Sequence, residues 1–383
     1  MTTSTHSIGR AGRLAATGLL AASLALTGCS GGGTTVPASA STAASTRVVH
    51  DEIGDVTVKT ESTRIATTAP AYTTSVLLLG GADKLVALEE NYGKNEWIKE
   101  KYPQLADLPV VFSSNQTNME ELIDQKPDLV IYASRYGTDT LAQLQDLGIA
   151  AVSSRAGSKD SGYDHLDLVR DNQAYLGEVI GGEQATRAGN YADEFDAIRS
   201  SIQERASGLA DDQRPTVVQV SETSGSLEVN NGSAIGQELI TLAGGVNAAA
   251  DASGESAGPS GQTKIDPEQL IAWNPQILIV DSQAMADDLR GDSTYASLRA
   301  VQGNRIYVVP NGAMAWAYNG PEEYLAMQFF AKAIHPELFE DVDLAQATKD
   351  FYGSYFGFEV SDQDLAYLFK LSDGQTVADV FTR

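Results

Sequence analysis

Between Glu183 and Ser207 apolar residues recur three or four positions apart: Ala188, Tyr191, Phe195, Ile198, Ile202 and Ala206. That spacing predicts a single α-helix with one apolar face. Asp193, Glu194, Asp196, Arg199 and Glu204 occupy the other faces, and Glu183 stands at the positive amino end. Gly208 and Pro215 follow and supply the stop. Such a helix is roughly 37 Å long, about the diameter of a domain.

On either side the pattern changes to short apolar runs. Those at 64–66, 85–88, 110–112, 129–132 and 149–152 alternate with helical stretches at 72–79, 119–125 and 138–146. Beyond the long helix, runs at 216–220, 277–280 and 306–309 alternate with helical stretches at 234–243, 322–334 and 343–352, before a polar tail. Strand alternating with helix predicts βαβ units and mainly parallel sheets. Residues 47–59 alternate around Gly54-Asp55 and predict a small hairpin.

The two flanks repeat each other. Residues 119–134 read MEELIDQKPDLVIYAS and residues 267–282 read PEQLIAWNPQILIVDS. At one fixed offset they share Glu120 with Glu268, Leu122 with Leu270, Ile123 with Ile271, Pro127 with Pro275, Ile131 with Ile279 and Ser134 with Ser282. Each copy is a short helix, a proline and a buried-type strand. The fold expected is α/β: two Rossmann-like lobes with mainly parallel sheets, joined by one long rigid helix, with a ligand cleft between them. The lobes span 47–182 and 209–383, and the linker 183–208.

The start of the chain has a different composition. Arg10 and Arg13 form a basic segment without acids, an apolar run at 15–26 follows, and Leu26-Thr27-Gly28-Cys29 closes it. Residues 1–28 therefore read as a signal peptide, too short to span a membrane. This run resembles the lipobox of bacterial lipoproteins, which implies cleavage before Cys29 and diacylglycerol on its thiol. Residues 29–46, rich in Gly, Ser, Thr and Ala, predict a flexible tether. Cys29 is the only cysteine, which excludes an internal disulfide and a cysteine metal cluster. Loss of the two arginines takes the formal charge from −25 to −27. Nucleic acid and anionic lipid repel such a surface, so the lipid alone would hold the protein at the membrane.

The ordered segments also resemble a family. RIATTAPAYTTSVLLLGGADKLVAL (64–88), NMEELIDQKPDLVI (118–131) and LQDLGIAAV (144–152) carry the likeness in the first lobe. In the second it rests on LITLAGGVNAAA (239–250), KIDPEQLIAWNPQILIV (264–280), LRAVQGNRIYVVP (298–310) and NGPEEYLAMQFFAKAIHPELF (319–339). They resemble the substrate-binding proteins of bacterial ABC importers for iron-siderophores, haem and vitamin B12, over about residues 47–352. The resemblance implies a monomeric receptor on the outer face of the cell membrane. It would capture a chelated-iron complex, a ferric siderophore before haem or a corrinoid, and deliver it to a permease dimer with its cytoplasmic ATPase. It also implies that Glu120 and Glu268 each meet arginines of one permease subunit. Thr74 departs from the pattern, because many relatives carry Glu there.

Ligands of open α/β sheets lie beyond the carboxyl ends of the strands. In the first lobe this singles out Tyr72, Asn91, Tyr92, Ser114, Asn115, Tyr132, Arg135 and Tyr136. In the second it singles out Glu222, Ser282, Met314, Trp316 and Tyr318. Aromatic rings suit a large, partly apolar metal complex, and Arg135 suits its anionic groups. Trp316 and Tyr318 lie in a loop of Gly, Ala and Asn, where core packing is the weaker expectation. Direct metal ligation is poorly supported, since the four histidines are scattered; tyrosine ligation of ferric iron stays open. No resident cofactor is expected, and the Gly-rich stretch 254–262 matches neither nucleotide-binding motif. An enzyme would have to use His165 with Asp164 or Asp167. No nucleophile elbow, zinc motif or cofactor loop accompanies them, so no catalysis is expected.

Overall fold

A computed structural model describes residues 45–51, 54–113, 116–133, 137–153, 164–255 and 262–382. They open with a hairpin, β1 (Thr46–Asp51) and β2 (Gly54–Lys59), in which Thr46 pairs with Lys59. The first lobe follows with β3 (Ile65–Thr67), α1 (Pro70–Leu78), β4 (Leu85–Glu89), α2 (Glu96–Lys101), β5 (Val110–Ser113), β6 (Gln116–Thr117), α3 (Met119–Asp124), β7 (Leu129–Ile131), α4 (Gly137–Asp146) and β8 (Ala150–Val152). Its strand order is β6-β5-β4-β3-β7-β8, parallel except for β6.

Two helices then run back to back, α5 (His165–Ile180) and α6 (Glu183–Ser207). α6 is the helix expected from the stripe: Ala188, Tyr191, Phe195, Ile202 and Ala206 are buried. α5 was not expected, although Leu166, Val169, Gln173, Leu176 and Ile180 repeat the same spacing and are all buried. It lies antiparallel to α6, tied to it by Arg170–Asp196 at 2.8 Å and Arg199–Asp167 at 2.7 Å. Gly181 turns the corner at φ 78°, where any Cβ would fall on the Thr60 carbonyl. The spine is thus a helical hairpin.

The second lobe comprises β9 (Thr216–Thr223), β10 (Ser226–Asn230), α7 (Ile235–Leu242), β11 (Val246–Asn247), β12 (Gln262–Ile265), α8 (Pro267–Trp273), β13 (Ile277–Val280), α9 (Gln283–Gly291), α10 (Arg299–Gln302), β14 (Ile306–Val308), α11 (Glu323–Ile334), α12 (Leu344–Phe351) and α13 (Asp362–Leu368). Strands β12-β10-β9-β13-β14 form its sheet, with β11 also on β9; β10 pairs antiparallel with both neighbours and the other pairs are parallel. The repeat is visible in three dimensions. α3 and α8 each lead into the strand, β7 or β13, that lies parallel beside the first strand of its lobe. Lys126 and Asn274, at matching places before the prolines, are both left-handed, at φ 48° and 44°. An arginine closes each helix end: Arg64 donates to the Gln125 and Lys126 carbonyls, Arg299 to that of Asn274.

Every residue of β3, β7 and β13 is buried, as parallel sheets covered on both faces require. Their side chains nevertheless divide between cores with period two. Val130 joins an outer core of lobe one, and Leu278 and Val280 an outer core of lobe two. Ile65, Leu129, Ile131, Val217, Ile277 and Ile279 share one central core with Tyr191 and Phe195 of the spine. Both lobes therefore rest on a common apolar centre.

The chain end is not the polar tail expected from sequence. After α12 comes a π-turn (Tyr352–Phe356), then α13 and a short 3-10 helix (Val377–Phe381). Tyr352, Phe356, Val360, Leu365, Leu368, Phe369 and Phe381 are buried in the central core. No helix among the described residues is long and apolar enough to cross a membrane.

Candidate ligand-binding site

The carboxyl ends of the first-lobe strands are held by buried polar side chains. Glu89, at the end of β4, is 1% exposed and accepts the Asn91 and Tyr92 backbone N–H groups. Thr68 donates to the Ile131 carbonyl and accepts from Ala133 N, which aims the exit of β7. The Tyr132 hydroxyl donates to the Gly137 carbonyl from the outer core of the lobe. Asn115, Arg135, Tyr136, Ser114 and the lipidation candidate Cys29 lie outside the described residues.

In the second lobe the exit of β14 becomes a loop, residues 311–320, that reaches the first lobe. Asn95 donates to the carbonyls of Gly312 and Ala313 at 2.8 and 3.0 Å. This brings the Tyr92 turn and the Tyr318 loop to one junction. Tyr92 is buried and its hydroxyl has no partner there. Tyr72 is half-buried on the central core. Tyr318, on the same loop, is part-exposed and hydrogen-bonded to Gln262 of β12, and is flanked by left-handed Ala317 and Asn319 at φ 64° and 58°. A non-glycine residue in that region costs of order 1–3 kcal/mol and persists only where its surroundings impose it.

Two adjacent carboxylates impose it. Glu322, fully buried, accepts Ala313 N at 2.6 Å, Met314 N at 2.9 Å and the Tyr352 hydroxyl at 2.6 Å. Glu323, also buried, accepts Asn319 N at 2.9 Å, on the other limb of the loop. The spine steadies the pair, because Tyr191 donates to the Pro321 carbonyl at 2.8 Å. Gly312 has to be glycine: a Cβ there would overlap the Tyr352 hydroxyl. Burial pushes Glu322 up to about 7 against the bonds from Tyr352, Met314 and Ala313, and pushes Glu323 up to about 8.

These shifts imply a pH dependence. A carboxyl whose pKa is raised on folding contributes stability that is complete below its ordinary pKa and lost as pH rises through the folded value. Asp128 and Asp364 are held below the ordinary range, so their contributions stay constant above it. The melting temperature is expected to fall by several degrees between about pH 4.5 and about pH 8, where the folded carboxyls keep protons that the unfolded ones have lost, and less in Glu323→Gln. Calorimetry across that range checks this; a flat profile in the parent would refute it.

Other expected site residues are placed elsewhere. Trp316 is fully buried and packs edge-on against Phe329 and Phe369, so the glycine- and alanine-rich loop did not leave it free of the core. Ser282 caps α9 by accepting Met285 N. Met314 is half-buried, and Glu222 and Asn91 are exposed. The grouping an enzyme would need is spent on the fold: Asp164 caps α5 and pairs with Arg199, and His165 bonds the Ser233 carbonyl. Sequence reading missed Glu322 and Glu323. Their signal, two acids at a helix start, is the same as that of an ordinary exposed first turn. Among the described residues no three His, Cys, Asp or Glu side chains are grouped to hold a metal ion.

A profile of the periplasmic binding protein family matches residues 65–313, from the first strand of lobe one into the Tyr318 loop. The chain belongs to the periplasmic binding protein family. Within this family it is 24% identical over 270 residues to the molybdate-binding protein MolA of Haemophilus influenzae, covering 66% of this chain and 74% of MolA. It is 22% identical over 292 residues to the Fe(3+)-citrate-binding protein YfmC of Bacillus subtilis, covering 76% and 86%. A solved periplasmic solute-binding protein of Veillonella parvula superimposes with a TM-score of 0.73 at 26% identity, over 85% of this chain and 97% of that one. This periplasmic binding protein has the two-lobed architecture of its solved neighbours, and the junction of Tyr92, Asn95 and the Tyr318 loop lies between the lobes.

Proposed function

We propose that this periplasmic binding protein is the lipid-anchored receptor of an ABC importer and that it captures a chelated-iron complex, a ferric siderophore, between its lobes. The observation that carries this reading is Tyr318: a part-exposed ring on a strained loop that two buried carboxylates hold and that meets the first lobe through Asn95. A rigid ring binds a large, partly apolar ligand with little entropy loss, and its preorganisation means the ligand need not order the loop. In this reading Tyr72 and Tyr92 belong to the facing wall, and Asn115, Tyr132, Arg135 and Tyr136 are the further candidates for ligand contact. The iron-citrate receptor among the relatives supports this ligand class, and the molybdate receptor makes an oxyanion the competitor to test against.

The carriers of the imported ligand are a permease dimer and its ATPase. Glu120 and Glu268 are both exposed in the first turns of α3 and α8, one per lobe, as two-point docking on a two-subunit permease needs. Diacylglycerol on Cys29 holds the receptor on the extracytoplasmic face of the membrane.

Native mass spectrometry of the protein from its own host tests the reading. The expected spectrum carries the mass of diacylglycerol at Cys29 and of one iron chelate released on denaturation. A molybdate or corrinoid mass would replace the ligand assignment, and an unmodified Cys29 would remove the anchor. Titration then checks the site. Tyr318→Ala is expected to weaken binding of that chelate by about 1–3 kcal/mol, roughly fivefold to 150-fold, with the melting temperature unchanged. Equal affinity in parent and variant would exclude Tyr318 from the site.

A further inference from the structure

The residues from Tyr352 to Lys370 attach to both lobes at once. On the first-lobe side Asp364 of α13 accepts the Trp97 indole N–H at 2.7 Å and pairs with Lys101 at 2.8 Å. Both members of the ion pair are mostly buried, at 15% and 9% side-chain exposure. Around them Trp97 meets Tyr352 edge-on with ring centroids 5.0 Å apart, meets Phe358 edge-on at 5.4 Å, and stacks on Tyr367 at 6.4 Å. Lys101 lies over the Trp97 and Phe358 rings, and the Tyr102 hydroxyl donates to the Phe356 carbonyl. Burial would raise Asp364, yet the bonds from Lys101, Ser361 and Trp97 hold it down to about 2.

The other end of α13 is fastened to the second lobe. Asn311 N donates to the Leu368 carbonyl at 3.1 Å. Lys370, left-handed at φ 54°, donates to the carbonyls of Asp281 and Val309 at 2.6 and 3.0 Å. Those carbonyls lie just past β13 and β14, where the Tyr318 loop begins. The seven residues 364–370 thus connect α2 of lobe one with the strand ends of lobe two. Arg187 of the spine adds a third point, donating to the Ser354 and Tyr355 carbonyls at 3.0 and 2.6 Å. The family match ends at residue 313, before any of this segment.

We propose that residues 352–370 form an interlobe strap whose grip on Trp97 and Lys101 positions the two walls of the ligand cleft. The spine and the common core join the lobes along one side, and Asn95 adds a single side chain across to the Tyr318 loop. A further attachment of the same lobes, made through a separate segment, restricts the remaining freedom to rock about that spine. Asp364, Trp97 and Lys101 are then positioning residues, which bear on the ligand through the separation of Tyr92 from the Tyr318 loop. This rests on the reading that the ligand sits between the lobes.

Distances between spin labels test the strap without any ligand. The full chain carries Cys29→Ser with Asp124→Cys and Ala272→Cys, two exposed positions at the same place in α3 and α8. The parent is expected to show one narrow distance distribution. Trp97→Phe with Lys101→Met keeps the ring packing and the Ser361 cap of α13 but removes both first-lobe donors to Asp364. That variant is expected to show a distribution at least twice as wide, with Lys101→Met alone intermediate and Lys101→Arg parental. The single variant covers the case in which the double one does not fold. Parental width in Lys101→Met and in every folded donor variant would overturn the strap. A cleft that fails to bind any ferric siderophore would leave these distances unaffected, so the two readings fail separately.

Discussion

Alanine at both Glu120 and Glu268 is expected to reduce uptake through the matching permease to background, with ligand affinity parental and the melting temperature within a few degrees of the parent. Each acid is exposed in the first turn of a short helix, so its worth to the fold is the helix-end term, about 0.3–1 kcal/mol. Each stands outside the central core and away from the Tyr318 loop. The two occupy one position in a repeated unit, so any partner that reads one lobe finds the same acid on the other. Exposed ion pairs contribute little to stability, but across an interface they set orientation and encounter rate. Arginine at both positions is expected to be worse than alanine, because like charges would then face each other. Uptake of radiolabelled ligand by cells carrying each variant decides the matter. A double alanine variant that transports at the parental rate leaves these acids only their role at the helix ends.

The second large effect is expected within the fold. Glu322→Ala strands three buried donors, Ala313 N, Met314 N and the Tyr352 hydroxyl. Each unsatisfied group costs about 1–3 kcal/mol, so the loss is on the order of half of the total stability of an ordinary domain. Calorimetry should show a melting temperature lower by on the order of 10 °C, and amides of 313–319 should exchange faster than in the parent. Affinity should fall at least tenfold with them, since Glu323 then holds the loop only at Asn319 and the limb through Ala313 and Met314 is released. Glu322→Gln keeps the shape and one acceptor and is expected to lie between. Parental melting and exchange in the alanine variant would mean that something other than this carboxylate holds the loop.

Much of this architecture is legible in the sequence because it is local. The stripe from Ala188 to Ala206 can be satisfied only by a helix with one buried face, and α6 is that helix. The unit repeated around Glu120 and Glu268 reappears as two helix–strand pairs in matching sheet positions, down to the left-handed residue before each proline. α5 is less plain, since Gln173 interrupts its apolar run without leaving the buried face. The site was less so. Tyr318 and Trp316 stand two residues apart in one loop, and nothing in their composition distinguishes an exposed ring from one closed in by Phe329 and Phe369.

By itself the sequence determined the elements, their alternation and their duplication, since each depends on side chains a few positions apart. Tertiary structure alone decided which face of each wholly apolar strand joins the central core. A run such as Ile277–Val280 is buried throughout, so its periodicity says nothing about which neighbour lies on which side. It also decided that Glu322 and Glu323 are loop anchors rather than solvent-facing acids, because their partners lie on a loop that has to fold back onto the start of α11. And it decided that the acid-rich chain end is a strap: Asp364 finds its partners at Trp97 and Lys101, more than 250 residues away, a separation that no local pattern encodes.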